Sequence, residues 1–257
     1  MKIAVIGAGA MGGAIAEGIQ LSGKHSLKTL IVSNPSGQKL ERFKRAGIKT
    51  THDNREAVSF ADMVILAVKP WLVESVLEDC KDLLTSDKML VSVAAGVTSD
   101  QLSEWTDGVP KIFITIPNIA IAHLASMTFI CPVNATEDDT QIVAEFFDEM
   151  GKTCICDEAH LRAGMALASC GIAYAFRYIR AASEGGVELG FKAQQSQEIV
   201  MQTLLGAVKL LEASGIHPEE AIDRVTTPGG LTIRGLNAME QSGFTNAVIQ
   251  GLKACIK

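Results

Sequence analysis

The sequence predicts an α/β domain built on a doubly wound parallel sheet, followed by an all-helical domain of about 100 residues. Three observations predict it. Short β-branched runs alternate with amphipathic segments through the first half of the chain. A glycine-rich loop joins the first of these runs to the first helical pattern. After Cys154-Ile155-Cys156-Asp157 the β-branched alternation stops and long helical patterns take over. The boundary is placed near Asp157, giving domains 1–157 and 158–257.

The strand-like runs are Lys2–Ile6, Thr29–Ser33, Met63–Val68, Met89–Val93, Lys111–Ile116 and Met127–Pro132. Helical patterns fall between them at Met11–Leu21, Lys39–Ala46, Pro70–Leu83, Ser99–Trp105 and Thr136–Met150. Asp62–Val68 is apolar almost throughout, which suits a strand covered on both faces of a parallel sheet. Strand–helix alternation then implies right-handed crossovers. In the second half Ala168–Leu189 and Ala193–Ser214 read as long helices, with Gly190 a C-cap between them. Gly215 ends the second, and Pro218 opens the next.

The chain has 257 residues, 47% hydrophobic and 20% charged, which excludes disordered and collagen-like classes. With 23 Lys plus Arg against 29 Asp plus Glu, the formal charge is −6. A mildly acidic chain has no global attraction to phosphate backbones or anionic lipid, so neither nucleic acid nor a membrane is expected as a partner. The most apolar stretch, Ala163–Phe176, lies between Arg162 and Arg177 and is too short to cross ~30 Å of hydrocarbon. It is expected to be a buried helix. Met1-Lys2 leads straight into a strand, so no signal peptide is expected. Cys80, Cys131, Cys154, Cys156, Cys170 and Cys255 include no Cys-x-x-Cys pair and read as free, buried thiols of a cytoplasmic protein. His25, His52, His123, His160 and His217 supply no HxxxH or HExxH spacing, so no metal is expected.

Ile6 runs into Gly7-Ala8-Gly9-Ala10-Met11-Gly12 and a helix follows. Gly7 permits a tight turn, Gly9 lets a pyrophosphate approach the backbone, and Gly12 lets helix and strand pack closely. A helix N-terminus adds free N–H groups and a positive dipole end. In this context dinucleotide binding outweighs a plain strand–helix turn. An NAD-preferring site normally places Asp or Glu at the end of the second strand, to bind the ribose 2′-OH. Here the strand ends Ile31-Val32-Ser33-Asn34-Pro35-Ser36 with no carboxylate, and Lys39 and Arg42 follow. That favours NADP(H), with NAD(H) the alternative. Further polar and small residues recur at later strand ends: Asn54, Ala67-Val68-Lys69-Pro70, Ala94-Ala95-Gly96 and Pro117-Asn118. Singly each reads as a cap or turn; together they outline one cleft edge.

Val225-Thr226-Thr227-Pro228-Gly229-Gly230-Leu231-Thr232 carries the most unusual local chemistry. Gly229 and Gly230 can expose consecutive N–H groups at a helix start, a nest suited to a small carboxylate, with the Thr232 hydroxyl in the first turn. An inter-helix turn with a threonine cap is the equal alternative on spacing alone.

Over essentially its whole length the chain resembles pyrroline-5-carboxylate reductases. The resemblance rests on the Gly7–Gly12 loop, Leu66-Ala-Val-Lys-Pro70, Val91–Val97 and, most specifically, Val225–Thr232 with Gly235-Leu236 and Met239-Glu240. It implies a Rossmann domain, a helical domain forming an intertwined dimer, often a ring of dimers, and NAD(P)H reduction of the C=N bond of Δ1-pyrroline-5-carboxylate. It places cofactor contacts at Gly7 to Gly12, Ser33, Asn34, Ser36, Asn54, Ala67 to Pro70 and Ala95-Gly96, and the substrate loop at Val225 to Thr232. Ile6 and Asn118 border the same cofactor cleft. For this substrate Thr232 is the candidate catalytic residue, orienting and polarising the ring nitrogen. Val225, Thr226, Thr227, Gly229, Gly230 and Leu231 would form the substrate-binding loop, with the Gly229–Leu231 amides holding the carboxylate. The chain departs from the usual pattern at Ile119, Ala120, Cys170, Ile172, Arg180 and Arg234. A 3-hydroxyacid dehydrogenase of similar architecture is disfavoured because Ala166–Ile179 lacks its lysine, and a non-enzymatic relative is the remaining alternative.

Overall fold

The computed structural model describes residues 1–256. Its strands are β1 (Ile3–Ile6), β2 (Leu30–Ser33), β3 (Lys49–Thr51), β4 (Met63–Leu66), β5 (Met89–Ser92), β6 (Lys111–Ile116), β7 (Ser126–Pro132) and β8 (Gly151–Ile155). They form one sheet in the order β3-β2-β1-β4-β5-β6-β7-β8. β1 is paired in parallel on both sides, Ile3 opposite Leu30 and Met63. Every position of β1, β2, β4 and β5 is buried. Successive side chains therefore enter opposite layers. Ile3 and Val5 join a cluster with Ile15, Ile19, Phe43 and Phe147, while Ala4 and Ile6 join one with Val58, Val73, Leu77 and Leu102. Each such Val, Leu, Ile or Phe side chain contributes about 1.5–3 kcal/mol by leaving water. The helices responsible are α1 (Ala10–Ser22), α2 (Gly37–Arg45) and α6 (Glu137–Asp148) on one face, and α3 (Asn54–Phe60), α4 (Val73–Cys80) and α5 (Ser99–Trp105) on the other.

The one antiparallel pair is β6 with β7, Phe113 opposite Pro132. Their connection holds only the 3₁₀ turn Ile119–His123, too little chain for a helical crossover. α6 restores the crossover, and β8 runs parallel to β7.

Two strands escaped the strand patterns. β3 reads Lys-Thr-Thr at the sheet edge, and β8 is an edge strand with exposed Lys152, Cys154 and Ile155, so neither carries an apolar run. α3 starts at Asn54 under an Asp53 cap that accepts from the Arg55 N–H. The expected Pro70–Leu83 helix is broken into 3₁₀, α and 3₁₀ segments.

Two further expectations need correction. Of the cysteines only Cys80 and Cys131 are buried, and Cys154 is exposed, because β8 lies at the edge. Burial pushes the Cys80 thiol up to about 12 and Cys131 to about 11. Ala163–Phe176 is not one buried helix. It spans the end of α7 (Glu158–Gly164), a π-helical turn Met165–Cys170 and the start of α8 (Gly171–Glu188), with Leu167 and Phe176 exposed at 62% and 60%.

By its internal contacts the chain divides into Met1–Ser169 and Cys170–Lys257. The second unit contains α8, α9 (Ala193–Ser214), α10 (Pro218–Arg224), α11 (Leu231–Gln241) and α12 (Phe244–Ala254). α8 and α9 form a hairpin across Gly190, whose φ is +99°. The Ser196 hydroxyl donates to the Ser183 carbonyl at 2.8 Å, over Gly186, where a side chain would strike it. Ser196 is the only buried residue from Gly171 to Ile256. Its helices thus present apolar faces with no interior of their own to enter. Among the described residues no single helix is long and apolar enough to cross a membrane.

One buried carboxylate ties α6 to β6. Asp139 accepts from Lys111 Nζ at 2.6 Å and from the Thr136 N–H and hydroxyl at 3.2 and 2.7 Å, closing a capping box on α6. Lys111 first, and Thr136 second, hold its carboxyl below the usual range. A depressed carboxyl contributes fully above its unfolded value and loses that contribution as pH falls. Asp139→Asn is expected to cost about 1–3 kcal/mol at neutral pH, a difference that shrinks below about pH 4. Urea titrations across pH check this; a gap independent of pH would refute it.

Candidate active site

The site is built first from backbone. Gly7 leaves β1 at φ +101°, and a Cβ there would lie 2.6 Å from the Ala67 carbonyl oxygen. Its N–H donates to the Ser33 carbonyl at 2.8 Å, while the Ala67 N–H donates to Ile6, also at 2.8 Å. Gly12, in the first turn of α1, sits where a Cβ would run into the Gly7 carbonyl. Gly9 is the N-cap, provides no side-chain cap, and has nothing within 4 Å of its Cβ position. Ile6 and Ala8 are buried behind the loop, Met11 is half-buried, and Ala10 is exposed. The loop therefore offers open space before an uncapped helix start, which fits a pyrophosphate.

The end of β2 is spent mostly on the protein itself. Asn34 is buried, and its Oδ1 accepts the Ala8 N–H at 3.0 Å while Nδ2 donates to the Ser36 carbonyl at 3.3 Å. The buried Ser33 hydroxyl donates to Asn54 Oδ1 at 2.7 Å. Of the three small donors anticipated there, Ser36 is the one whose side chain makes no cap bond, at the N-cap of α2. The Arg42 guanidinium lies over Gly13 and pairs with Glu17 at 2.6 Å, so its charge is already matched.

Beyond β4, β5 and β6 the chain lines the same carboxyl edge of the sheet. Ala67 and Val68 are half-buried, Lys69 is exposed with its ammonium 6.0 Å from the Trp71 ring, and Pro70 starts a 3₁₀ turn. Ala95 and Gly96 are exposed in a turn with Gly96 at φ +82°. Asn118 is buried and fully engaged: its N–H meets the Ser126 hydroxyl at 3.1 Å, Oδ1 accepts from the Ala120 N–H at 3.0 Å, and Nδ2 donates to the Ala168 carbonyl at 3.3 Å. Ser126 and its partner Thr128 were missed in the sequence, because only the antiparallel return of β7 brings them behind Asn118.

In the second unit, Thr227–Gly230 forms a turn in which the Gly230 N–H donates to the Thr227 carbonyl at 2.9 Å. Pro228 and Gly229, the latter at φ +71°, occupy its central positions as a type II turn requires. The expected pair of glycine amides is thus reduced, since the Gly230 N–H closes the turn. Gly230 caps α11 without a side-chain bond, leaving the amides of Leu231 and Thr232 at the helix start. Leu231 is 81% exposed, and Thr232, Thr227 and Val225 are exposed with it. Thr226 is turned back onto the Ile222 carbonyl at 2.7 Å. Arg234 Nη2 donates to the Gly229 carbonyl at 3.2 Å, fastening the turn from within α11.

Residues 158–257 match the family model for pyrroline-5-carboxylate reductase dimerisation, and residues 2–96 match that for NADP oxidoreductase, coenzyme F420-dependent. The chain is 34% identical to pyrroline-5-carboxylate reductase 2 of Dictyostelium discoideum, across 98% of this chain and 89% of that protein. The chain belongs to the pyrroline-5-carboxylate reductase family. It is also 34% identical to reductase 1 of the same organism, of which it spans about half, 48%. The crystal structure of Plasmodium falciparum pyrroline carboxylate reductase with NADP bound superposes with a TM-score of 0.90 at 27% identity, covering 100% of this chain and 95% of that one. The exposed Thr-Pro-Gly-Gly turn and the glycine loop are therefore features of a reductase-family chain.

The Asn34 latch yields a prediction for this family member. Asn34→Ala orphans the buried Ala8 N–H and is expected to cost about 1–3 kcal/mol. It should also weaken dinucleotide binding at least 10-fold, since Ala8 shapes the loop. Thermal unfolding and nicotinamide-fluorescence titration measure both; unchanged cofactor affinity would show that the latch does not shape the loop.

Proposed function

We propose that this chain reduces Δ1-pyrroline-5-carboxylate to L-proline with NADPH, as the last step of proline biosynthesis. The observation that carries the reading is the open Thr-Pro-Gly-Gly turn before uncapped α11, in a chain whose other unit holds a dinucleotide loop. Residues 1–157 serve as the cofactor domain and 158–257 as the substrate and dimerisation domain. NADPH is favoured over NADH because no acid stands at the end of β2 or in the first turn of α2. Bound NADPH supplies the hydride to the imine carbon.

The chain's own groups then have three tasks. The Gly7–Gly12 loop, Ser36, Asn54, the Ala67–Pro70 segment and Ala95-Gly96 seat the dinucleotide, with Ser33, Asn34 and Asn118 holding the backbone that does so. The turn and the amides of Leu231 and Thr232 take the substrate carboxylate at a positive helix end. The Thr232 hydroxyl orients and polarises the ring nitrogen. A protonated cyclic imine already carries its proton on that nitrogen. As the carbon gains the hydride, the C=N electron pair moves to nitrogen and a secondary amine results, so no strong acid is required. The exposed Thr232 hydroxyl and the lack of an anticipated base suit that chemistry.

A second chain completes the molecule in this reading. The apolar side chains of α8 to α12 are at most half-buried within their own unit and complete their burial against a partner copy. That partner supplies the Pro-Gly-Gly turn to the cofactor cleft, and a ring of dimers is the larger assembly the family resemblance implies. All six cysteines are free, which suits the reducing cytoplasm.

Purified protein is expected to consume NADPH with the pyrroline carboxylate and to ignore 3-hydroxy acids with the oxidised cofactor; the reverse result overturns the reading. Thr232→Ala should lower kcat about 10- to 1000-fold, the range for one preorganised donor, with cofactor affinity retained. Thr232→Ser should keep much of the rate. A correctly folded Thr232→Ala enzyme running at wild-type speed would remove Thr232 from the chemistry. Light scattering at assay concentration should give a dimer or a multiple of it, and an active monomer would contradict the shared site.

A further inference from the structure

Telling NADP(H) from NAD(H) requires donors for a 2′-phosphate beyond the end of β2. Most side chains near that point are already committed. Ser33 bonds Asn54, Asn34 bonds Ala8 and Ser36, and Arg42 pairs with Glu17. What the first turn of α2 still offers is the Ser36 hydroxyl and Lys39.

A further group arrives from the neighbouring strand. The Asn34 N–H donates to the Thr51 carbonyl at 3.2 Å, which carries the β2–β3 pairing one residue past the strand end. His52, the next residue, is thereby set beside the turn into α2. Its Nδ1 lies 2.9 Å from the Asn34 carbonyl oxygen. A carbonyl only accepts, so Nδ1 carries a proton and the ring orientation is fixed. The opposite edge of the ring faces the first residue of α2: a Cβ built on Gly37 would stand 3.6 Å from His52 Cε1 and 3.9 Å from Nε2. Nε2 therefore lies at a helix start that has no acidic residue in its first turn and no side-chain cap. The two carboxylates nearest in sequence are occupied elsewhere. Asp53 caps α3 through the Arg55 N–H at 2.8 Å, and Glu56 is bonded to the Thr51 hydroxyl and paired with Lys49 at 3.0 Å.

We propose that His52 reads the 2′-phosphate of NADP(H), Nε2–H donating to a phosphate oxygen while Nδ1–H stays on the Asn34 carbonyl. In that state the ring is an imidazolium with both nitrogens as donors, adding charge as well as a hydrogen bond where the α2 dipole already favours an anion. His52 acts as a specificity residue for the cofactor and touches no reacting atom. The inference rests on NADPH being the cofactor.

The test separates the two. Dissociation constants for NADPH and NADH are measured by nicotinamide fluorescence on the intact wild-type protein, His52→Ala and His52→Asp, with calorimetry of 2′,5′-ADP as a probe lacking the nicotinamide. Wild type is expected to bind NADPH more tightly. His52→Ala should weaken NADPH and 2′,5′-ADP by about 10-fold, the effect of losing one charge-assisted hydrogen bond, and leave NADH within about 2-fold. His52→Asp should make NADH the tighter ligand. Retained NADH binding in each variant shows that it is folded. A wild type that binds both dinucleotides equally overturns the NADPH reading and this inference together. A wild type selective for NADPH whose selectivity survives His52→Ala overturns the role of His52 alone.

Discussion

The approach of three backbone segments at the end of β1 is the constraint on which the cofactor unit depends. Gly7, Gly12 and Ala67 come so close that a Cβ at either glycine would collide with a carbonyl. Removing those methyl groups lets α1 begin directly behind the loop, and the N–H of Gly7 and of Ala67 can then knit β2, β1 and β4 at their carboxyl ends. With that edge fixed, the parallel strands β4, β5 and β6 deliver their C-terminal turns to the same side of the sheet. The steric requirement that shapes the loop also leaves the helix N-terminus uncapped and open to an anion.

Around this edge, polar side chains divide into those that build the wall and those left to face a ligand. Asn34, Ser33 and Asn118 are buried and satisfied inside the protein, as buried amides and hydroxyls must be. Ser36 and Lys69 are the more accessible members.

The helical unit obeys a different logic. Gly190, Gly215 and Pro218 mark where its helices stop and start, yet only Ser196 among residues 171–256 is fully buried. Local capping fixes where helices start and stop, whereas stability requires apolar surface to leave water. Such a unit is defined by surface awaiting a partner, and its one exposed turn with unspent helix-start amides is positioned by Pro228, Gly229 and the Arg234 guanidinium.

The parallel core was legible because buried strands read as continuous apolar runs, so β1, β4, β5 and β6 were found within two residues of their ends. β3 and β8 were not, because edge strands of Lys, Thr and Cys carry no such run. The glycine loop and the Thr-Pro-Gly-Gly turn were legible because backbone geometry at φ +101° and φ +71° admits few residues other than glycine. By itself, then, the sequence determined the local conformations and the chemistry each motif carries. Tertiary structure alone decided which polar groups remained free. Asn34 and Asn118 are consumed, Arg42 is neutralised by Glu17, and His52 is brought beside Gly37 by a strand pairing. The physical reason is that hydrogen-bond satisfaction is a property of neighbours in space, which sequence spacing does not record.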